Sequence, residues 1–451
     1  MHKNITILGA GLVGSLLSIY LAKRGHRVNV FERRPDMRKE SRGTGTAGKS
    51  INLALSDRGW RGLEGIGIAD EIRKVAIPMY GRMIHHLNGE LNFQPYGEKD
   101  QAIWSVSRGG LNMELMNLAE RNQQVKLFFD ERCTGVDLAN AISKLENQQT
   151  KTHSLVQSDL IFGADGAFSA ARMQLQISTD RFQYSQHFID HGYKELHIPS
   201  GKNGDWLMEK NALHIWPRGG YMLIALPNVD GSFTCTLFFP FEGTESFSML
   251  SNEKKLFDLF NRVFPDAVPL MPTLAHDFFN NPTGSLVTVR CFPWSYEDKL
   301  CLLGDAAHAI VPFFGQGMNC GFEDCTVLQD LMNDQEDDWT KLFKSFEQSR
   351  KPNTDAIAEL ALQNFIEMRD LVGDKKFLLR KKIEAWFHEK HPGKWLSLYS
   401  QVTFSAHIPY SVALANGKKQ DKIMDKIMLM EKIDERWNSE EVENTMLKMI
   451  A

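Results

Sequence analysis

Zinc-binding and disulfide signatures are missing from this chain. Its six cysteines, at positions 133, 235, 291, 301, 320 and 325, form no C-x-x-C pair and no Cys/His cluster of zinc spacing. Scattered thiols of this kind fit a reducing compartment, and disulfides are not expected. Net charge is also slight. Against 56 Asp and Glu stand 52 Lys and Arg, and the resulting −4 offers nothing to nucleic acid or to an anionic lipid surface. No stretch reaches the ~20 uninterrupted apolar residues of a membrane helix. Residues 5–22 come nearest, but Gly9, Gly11 and Gly14 interrupt them, and the sequence KRGHRV at 23–28 leads into a strand rather than a small-residue cleavage site. A cytoplasmic protein is expected. Internal repeats and low-complexity tracts are lacking too. Tyrosine and tryptophan are scarce, nine each against 28 phenylalanines, a balance that suits ordinary cores first and apolar pockets second.

At 451 residues the chain exceeds one small core and suggests two interleaved domains. Residues 3–8 read as a buried strand, 12–24 as a helix and 27–32 as a second strand, together a βαβ unit. Residues 35–49 are polar and Gly-rich, hence a loop; 51–55 start a new element and 57–76 read as a helix. Over 82–96 a hairpin is expected around Asn88-Gly89. A helix follows at 111–121 and a short apolar strand at 160–163. From 182 to 240 the pattern changes to alternating strands with a turn at Asp230-Gly231. Helix 252–264, strand 299–303 and a helix through Asp330 come next. Beyond about 340 the chain is helical, and its charged tail after 415 reads as an amphipathic surface helix. The fold class is α/β with an α+β substrate domain. Residues 1–75, 100–180 and 285–335 form a Rossmann-like cofactor domain; 76–99 and 181–284 form an inserted antiparallel-sheet domain; 336–451 form a helical region.

Three motifs carry chemistry. Gly9-Ala10-Gly11-Leu12-Val13-Gly14 is a G-x-G-x-x-G between strand and helix, where glycines permit a tight turn and close approach of backbone to a pyrophosphate. Glu32 ends the second strand, where an acid accepts hydrogen bonds from a ribose. A Gly-rich structural turn is the plain alternative. Asp165-Gly166 with Ser169 and Arg172 follows the strand 160–163; its plain reading is a strand-to-helix turn capped by Ser169. The third motif, 304–319, runs GDAAHAIVPFFGQGMN into a helix, whose free amides and dipole favour an anion such as a reduced flavin.

In this order the three motifs resemble the flavoprotein aromatic hydroxylases, the class A monooxygenases. Four longer segments bring the likeness closest to the members of that family that act on kynurenine: 49–56 (KSINLALS), 78–85 (PMYGRMIH), 305–324 and 364–369 (NFIEMR). The likeness covers essentially the whole chain. It implies tightly but non-covalently bound FAD, with NADPH and O2 as co-substrates. It implies oxygen transfer from a flavin C4a-hydroperoxide to L-kynurenine, giving 3-hydroxy-L-kynurenine in tryptophan degradation. It also implies site residues: Arg82 and Tyr96 on the substrate carboxylate, Asn364 and Tyr399 completing that site. Cofactor contacts fall on Gly9, Gly11, Val13, Gly14, Glu32, Arg33, Ala54, Arg108, Asp165, Asp305, Pro312, Gly317, Met318 and Asn319, with Asp305 on the ribitol and Met318 and Asn319 at the ring through backbone groups. Eukaryotic members end in membrane-anchoring apolar segments, from which the charged C-terminus here departs.

The residues also make sense on their own. With a three-residue loop, Arg82 and Tyr96 face each other on one side of the hairpin, and an Arg fork with a phenol suits a carboxylate. The alternative is an Arg on an exposed strand face. His308 is expected to be a packed histidine without an acid–base partner. His85 and His86 are adjacent on a strand and point to opposite faces, so no metal site is expected. No catalytic side chain is needed, because the flavin carries the chemistry. Two other readings stay open: a related FAD hydroxylase acting on another aromatic acid, and a non-catalytic flavin-binding redox sensor using Cys320 and Cys325. A homodimer is also left open.

Overall fold

The computed structural model describes residues 2–39, 51–334, 338–371 and 374–450. The expected loop over 35–49 leaves the described residues after Lys39, and so do Lys49 and Ser50 of the family-like segment.

One sheet has six strands in the order Ser295–Tyr296, Leu300–Leu302, Leu160–Gly163, Asn4–Leu8, Arg27–Phe31, Val125–Phe128. All neighbours are parallel except the first pair. A parallel sheet is covered on both faces, which is why Ile5, Ile7, Val28, Val30, Ile161 and Phe162 are apolar and fully buried. The helix Leu12–Lys23 joins the first two strands in sequence, and the helices Arg108–Arg121 and Gly317–Asp334 pack on it.

The other large sheet has seven strands: Thr283–Phe292, Gln183–Ile198, Phe233–Pro240, Met222–Pro227, Ala212–Pro217, Gly81–His85, Leu91–Pro95. It is antiparallel apart from Ala212–Pro217 beside Gly81–His85. Alternation at period two splits its side chains. Trp216, Leu223, Cys235 and Leu237 pack with side chains of the helices Glu253–Val263 and Leu274–Asn280, while Leu213, Met222, Leu226 and Phe238 line a cavity on the opposite face. The α/β class with an antiparallel second sheet and C-terminal helices is the architecture observed.

Several expectations need correction. The helix expected over 57–76 is two, Asp57–Ile66 and Ala69–Arg73, because Gly67 takes a left-handed conformation (φ 80°) and ends the first. The helix expected at 111–121 starts at Arg108, since the Ser107 hydroxyl accepts from Gly110 N and caps it there. A three-stranded sheet of Glu131–Asp137, Ile142–Asn147 and His153–Gln157 was not anticipated. Nor is the charged tail one surface helix. Tyr410–Ile427 and Glu440–Ile450 bury Ile423, Met424, Ile427, Val442 and Met446 against Ile383 and Phe387 of Lys375–Lys390, leaving the charges outside. No described helix is long and apolar enough to cross a membrane.

Candidate active site

A cavity of about 880 Å³ reaches from the Gly9–Gly11 turn to Arg82. Three glycines shape its first end in different ways. Gly9 sits at φ 101°, and a Cβ there would lie 2.5 Å from the carbonyl oxygen of Ala164. A Cβ on Gly14 would lie 2.0 Å from the Gly9 carbonyl oxygen, so this glycine lets the helix close on the turn; it does not line the cavity. A Cβ on Gly11 would meet nothing within 4 Å, because that position opens on the cavity. Gly11 also precedes the helix Leu12–Lys23 without a side-chain cap, leaving first-turn amides free for an anion. This cradle fits the pyrophosphate of a dinucleotide.

Glu32 lines the cavity beside it. One oxygen accepts from Ala10 N (3.0 Å); the other accepts from Arg34 N (3.1 Å) and Arg34 Nε (2.8 Å). Burial works to raise this carboxyl, and the Arg34 hydrogen bonds and charge outweigh it, so it titrates below its usual value. Arg33 is exposed and lines the cavity, as does Arg108. Arg34, not Arg33, is the partner of Glu32.

Asp165 lines the same wall. Its Oδ2 accepts from Ala170 N (2.7 Å) and Ala171 N (3.2 Å), while Oδ1 is buried without a partner, and burial raises its titration. Ser169 does cap the following helix, accepting from Arg172 N (2.9 Å). Arg172 then donates to the Ala306 carbonyl (2.8 Å), tying this motif to 304–319.

That third segment is held from behind. Asp324 accepts from Gly304 N (2.9 Å), from His308 Nε2 (2.7 Å) and from Arg350 Nε (2.7 Å). Burial alone would lower His308; the Asp324 carboxylate reverses this and raises it to about 10. His308 is therefore packed but not without an acid–base partner, contrary to expectation. Asp305, exposed at the turn, lines the cavity with Val13, Ala54, Pro312, Gly317 and Met318. Asn319 does not. It is buried, accepting from Ser56 N (3.0 Å) and donating to the carbonyls of Ala54 and Gly315 (both 2.8 Å), so it braces the wall. Cys320 and Cys325 lie five residues apart on one helix and face different neighbours, His308 and the Val13 carbonyl, which gives a two-thiol sensor no geometry.

The far end is aromatic and cationic. Arg82 is buried, with its guanidinium carbon 5.6 Å from the Tyr96 ring centre and 5.2 Å from that of Tyr399; the two rings stack at 4.9 Å. The hairpin register is two residues from that expected: Arg82 pairs with Gln94, and Tyr96 occupies the diagonal position on the same face. Arg82 Nε is buried without a hydrogen-bond partner, and the Tyr96 hydroxyl, equally buried, has only Arg82 and Tyr399 as polar neighbours. Glu367, which was not anticipated, brings Oε1 to 3.5 Å from Arg82 Nη1. Asn364 is not on the wall; it donates to the Phe313 carbonyl (2.6 Å), and Phe313, Met222, Leu226 and Phe238 form an apolar lining. His85 meets Asp266 (2.7 Å) and His214 (2.8 Å), on the face of the strand away from Arg82.

The FAD binding domain family model matches residues 2–361. The chain is 51% identical over 446 residues to a kynurenine 3-monooxygenase of Flavobacterium johnsoniae, covering 99% of this chain and 98% of the relative. With the Dictyostelium discoideum protein of that name identity is 45% over 442 residues, 95% of this chain and 94% of the relative. Among solved structures, the tetrameric form of 2-methyl-3-hydroxypyridine-5-carboxylic acid oxygenase superposes with TM-score 0.66 at 20% identity, covering 82% of this chain and 94% of that one. PqsL of P. aeruginosa, in complex with 2-aminobenzoylacetate, gives 0.64 at 19%, covering 82% and 97%. These two show a shared fold.

Proposed function

As this chain belongs to the kynurenine 3-monooxygenase family of FAD-binding proteins, we propose that it hydroxylates L-kynurenine to 3-hydroxy-L-kynurenine with NADPH and O2. One observation supports this reading above the rest. At this end of the cavity, Arg82 Nε is buried without a partner and the Tyr96 hydroxyl, equally buried, has no polar partner beyond Arg82 and Tyr399. Leaving such groups unmade costs about 1–3 kcal/mol each, and a carboxylate satisfies both.

Bound FAD supplies the oxygen chemistry, after reduction by NADPH. The Gly9–Gly11 turn and the free first-turn amides would hold its pyrophosphate, Glu32 its ribose, Asp305 its ribitol, and Met318 backbone groups its ring. The chain's own tasks are placement and exclusion of water. Arg82, Tyr96 and Tyr399 anchor the amino-acid end of the substrate, while Met222, Leu226, Phe238 and Phe313 enclose its ring. The ring's amino group activates the carbon ortho to it, so no side-chain nucleophile is required. Asn364 acts indirectly, through the Phe313 carbonyl it holds. The two large sheets support a division of labour in which the parallel sheet carries the cofactor and the antiparallel one the substrate.

Mass analysis of products from L-kynurenine, NADPH and O2 tests this directly, with anthranilate and 4-hydroxybenzoate in parallel. A gain of one oxygen on kynurenine is expected. NADPH consumption stimulated only by one of the other acids would overturn the substrate assignment.

A further inference from the structure

Gln316 sits between the cofactor cradle and the substrate end. Gly315 before it takes φ 66°, and Phe314 stacks on Tyr399 at 5.5 Å. Its backbone carbonyl accepts from Cys320 N (2.8 Å), and the residue lines the cavity. An amide side chain has one accepting and one donating end. Two hydroxyls take the accepting end: Tyr410 donates to Gln316 Oε1 at 2.8 Å and Ser56 at 3.3 Å. No described residue accepts from Nε2.

Tyr410 is not on the cavity wall. It is the first residue of the helix Tyr410–Ile427 and is fully buried. The Arg58 guanidinium carbon lies over its ring, 3.9 Å from the centre, and Arg58 is itself fixed by Glu323 and by the carbonyls of Ala406 and Ile408. Burial pushes the phenol far above its usual titration, against the opposing charge of Arg58, so it remains a donor.

We propose that Tyr410 is a positioning residue for the flavin: it holds the carbonyl end of Gln316, so that the amide Nε2 faces the cavity as a hydrogen-bond donor to the reduced, negatively charged ring. The C-terminal helix thereby sets the redox behaviour of a cofactor it does not touch. The inference rests on the flavin reading above. A fixed donor stabilises the reduced anion more than the neutral oxidised ring, because it need not reorganise when charge develops.

The test is Tyr410→Phe in the FAD-loaded full-length protein, which keeps the ring under Arg58 and removes the hydroxyl. The midpoint potential of bound FAD should become more negative, and its visible spectrum should shift. Reduction by NADPH should slow by about one hydrogen bond's worth, roughly fivefold to tenfold, with the kynurenine KM within twofold. Gln316→Ala should reproduce the shift in potential, and the double variant should add nothing to it. Should Tyr410→Phe fail to fold, Ser56→Ala should move the potential the same way by less. An unchanged potential in a folded, FAD-bearing Tyr410→Phe protein, or additive shifts in the double variant, would overturn the proposal. A parent protein that takes up no FAD defeats the flavin reading instead, and is told apart by its lack of colour.

Discussion

Arg82 Nη1 and Glu367 Oε1 lie 3.5 Å apart, so the cation that lines the cavity is paired with an anion that stands beside the wall and not on it. Glu367 begins a wide turn, Glu367–Leu371, that follows the long helix Trp339–Ile366. An α-amino acid carries the complementary pair. Its carboxylate suits Arg82 Nε and the Tyr96 hydroxyl, and Glu367, beside Arg82, is the anion its ammonium would meet.

Arg82→Met should raise the kynurenine KM by about 100-fold or more, since two charge-assisted contacts of ~1.5 kcal/mol or more are lost. FAD content should not change, because Arg82 belongs to the other sheet. Steady-state kinetics with a flavin-to-protein ratio checks both, and an unaltered KM would remove Arg82 from the carboxylate site.

Glu367→Gln should separate two substrates. With L-kynurenine the KM should rise roughly tenfold, one charge-assisted hydrogen bond. With the analogue lacking the α-amino group, parent and variant should differ little. Equal effects on both compounds would mean that Glu367 acts through Arg82 and not on the ammonium.

The glycine turn permits a sharper contrast. Gly11→Ala places a methyl in open cavity, so the FAD-free protein should melt as the parent does while FAD binding weakens about tenfold or more. Gly14→Ala drives a methyl into the Gly9 carbonyl and should destabilise the FAD-free protein itself by ~1–3 kcal/mol. Calorimetry without FAD, followed by FAD titration, distinguishes them.

The His308–Asp324 pair implies a direction of pH dependence. His308 titrates near 6.5 when unfolded and at about 10 when folded, so its contribution to stability is complete below about pH 6.5 and drains away as pH rises toward 10. The Asp324 carboxyl is shifted the other way: burial raises it, the His308 and Arg350 charges more than compensate, and its contribution is lost in acid. The gap in Tm between the parent and His308→Gln should therefore narrow from pH 6.5 to 10. A gap that stays constant would show that His308 is uncharged in the folded protein.

Local features were the legible ones. The Gly9–Gly14 turn, the Ser169 cap and the hairpin each depend on residues within one or two turns of chain, where spacing dictates geometry. The hairpin loop moved by one residue, and the pairing across it by two, because Gly89 takes φ 84° in the third loop position, placing the loop at 87–89. What escaped notice lies far apart in sequence. Glu367 reaches Arg82 across 285 positions, and Tyr410 reaches Gln316 across 94. The side-chain amides of Asn319 and Asn364 satisfy backbone carbonyls that no sequence pattern identifies. The same limit applies to Asp324, whose importance comes from three donors, two on the 304–308 turn and the third, Arg350, on the helix Trp339–Ile366.

The order of strands in the parallel sheet has a consequence for synthesis. Ile5 pairs with Leu160, and Ile161 in turn with Leu300. Translation proceeds at about 5–20 residues per second, so the first strand waits roughly 8–30 s for its inner neighbour and about as long again for the strand beyond it. During that interval an apolar strand edge stays open in the nascent chain, a state prone to aggregation. The cofactor wall at 304–319 is made only afterwards. A chain halted before residue 300 should therefore be insoluble and colourless rather than a working fragment.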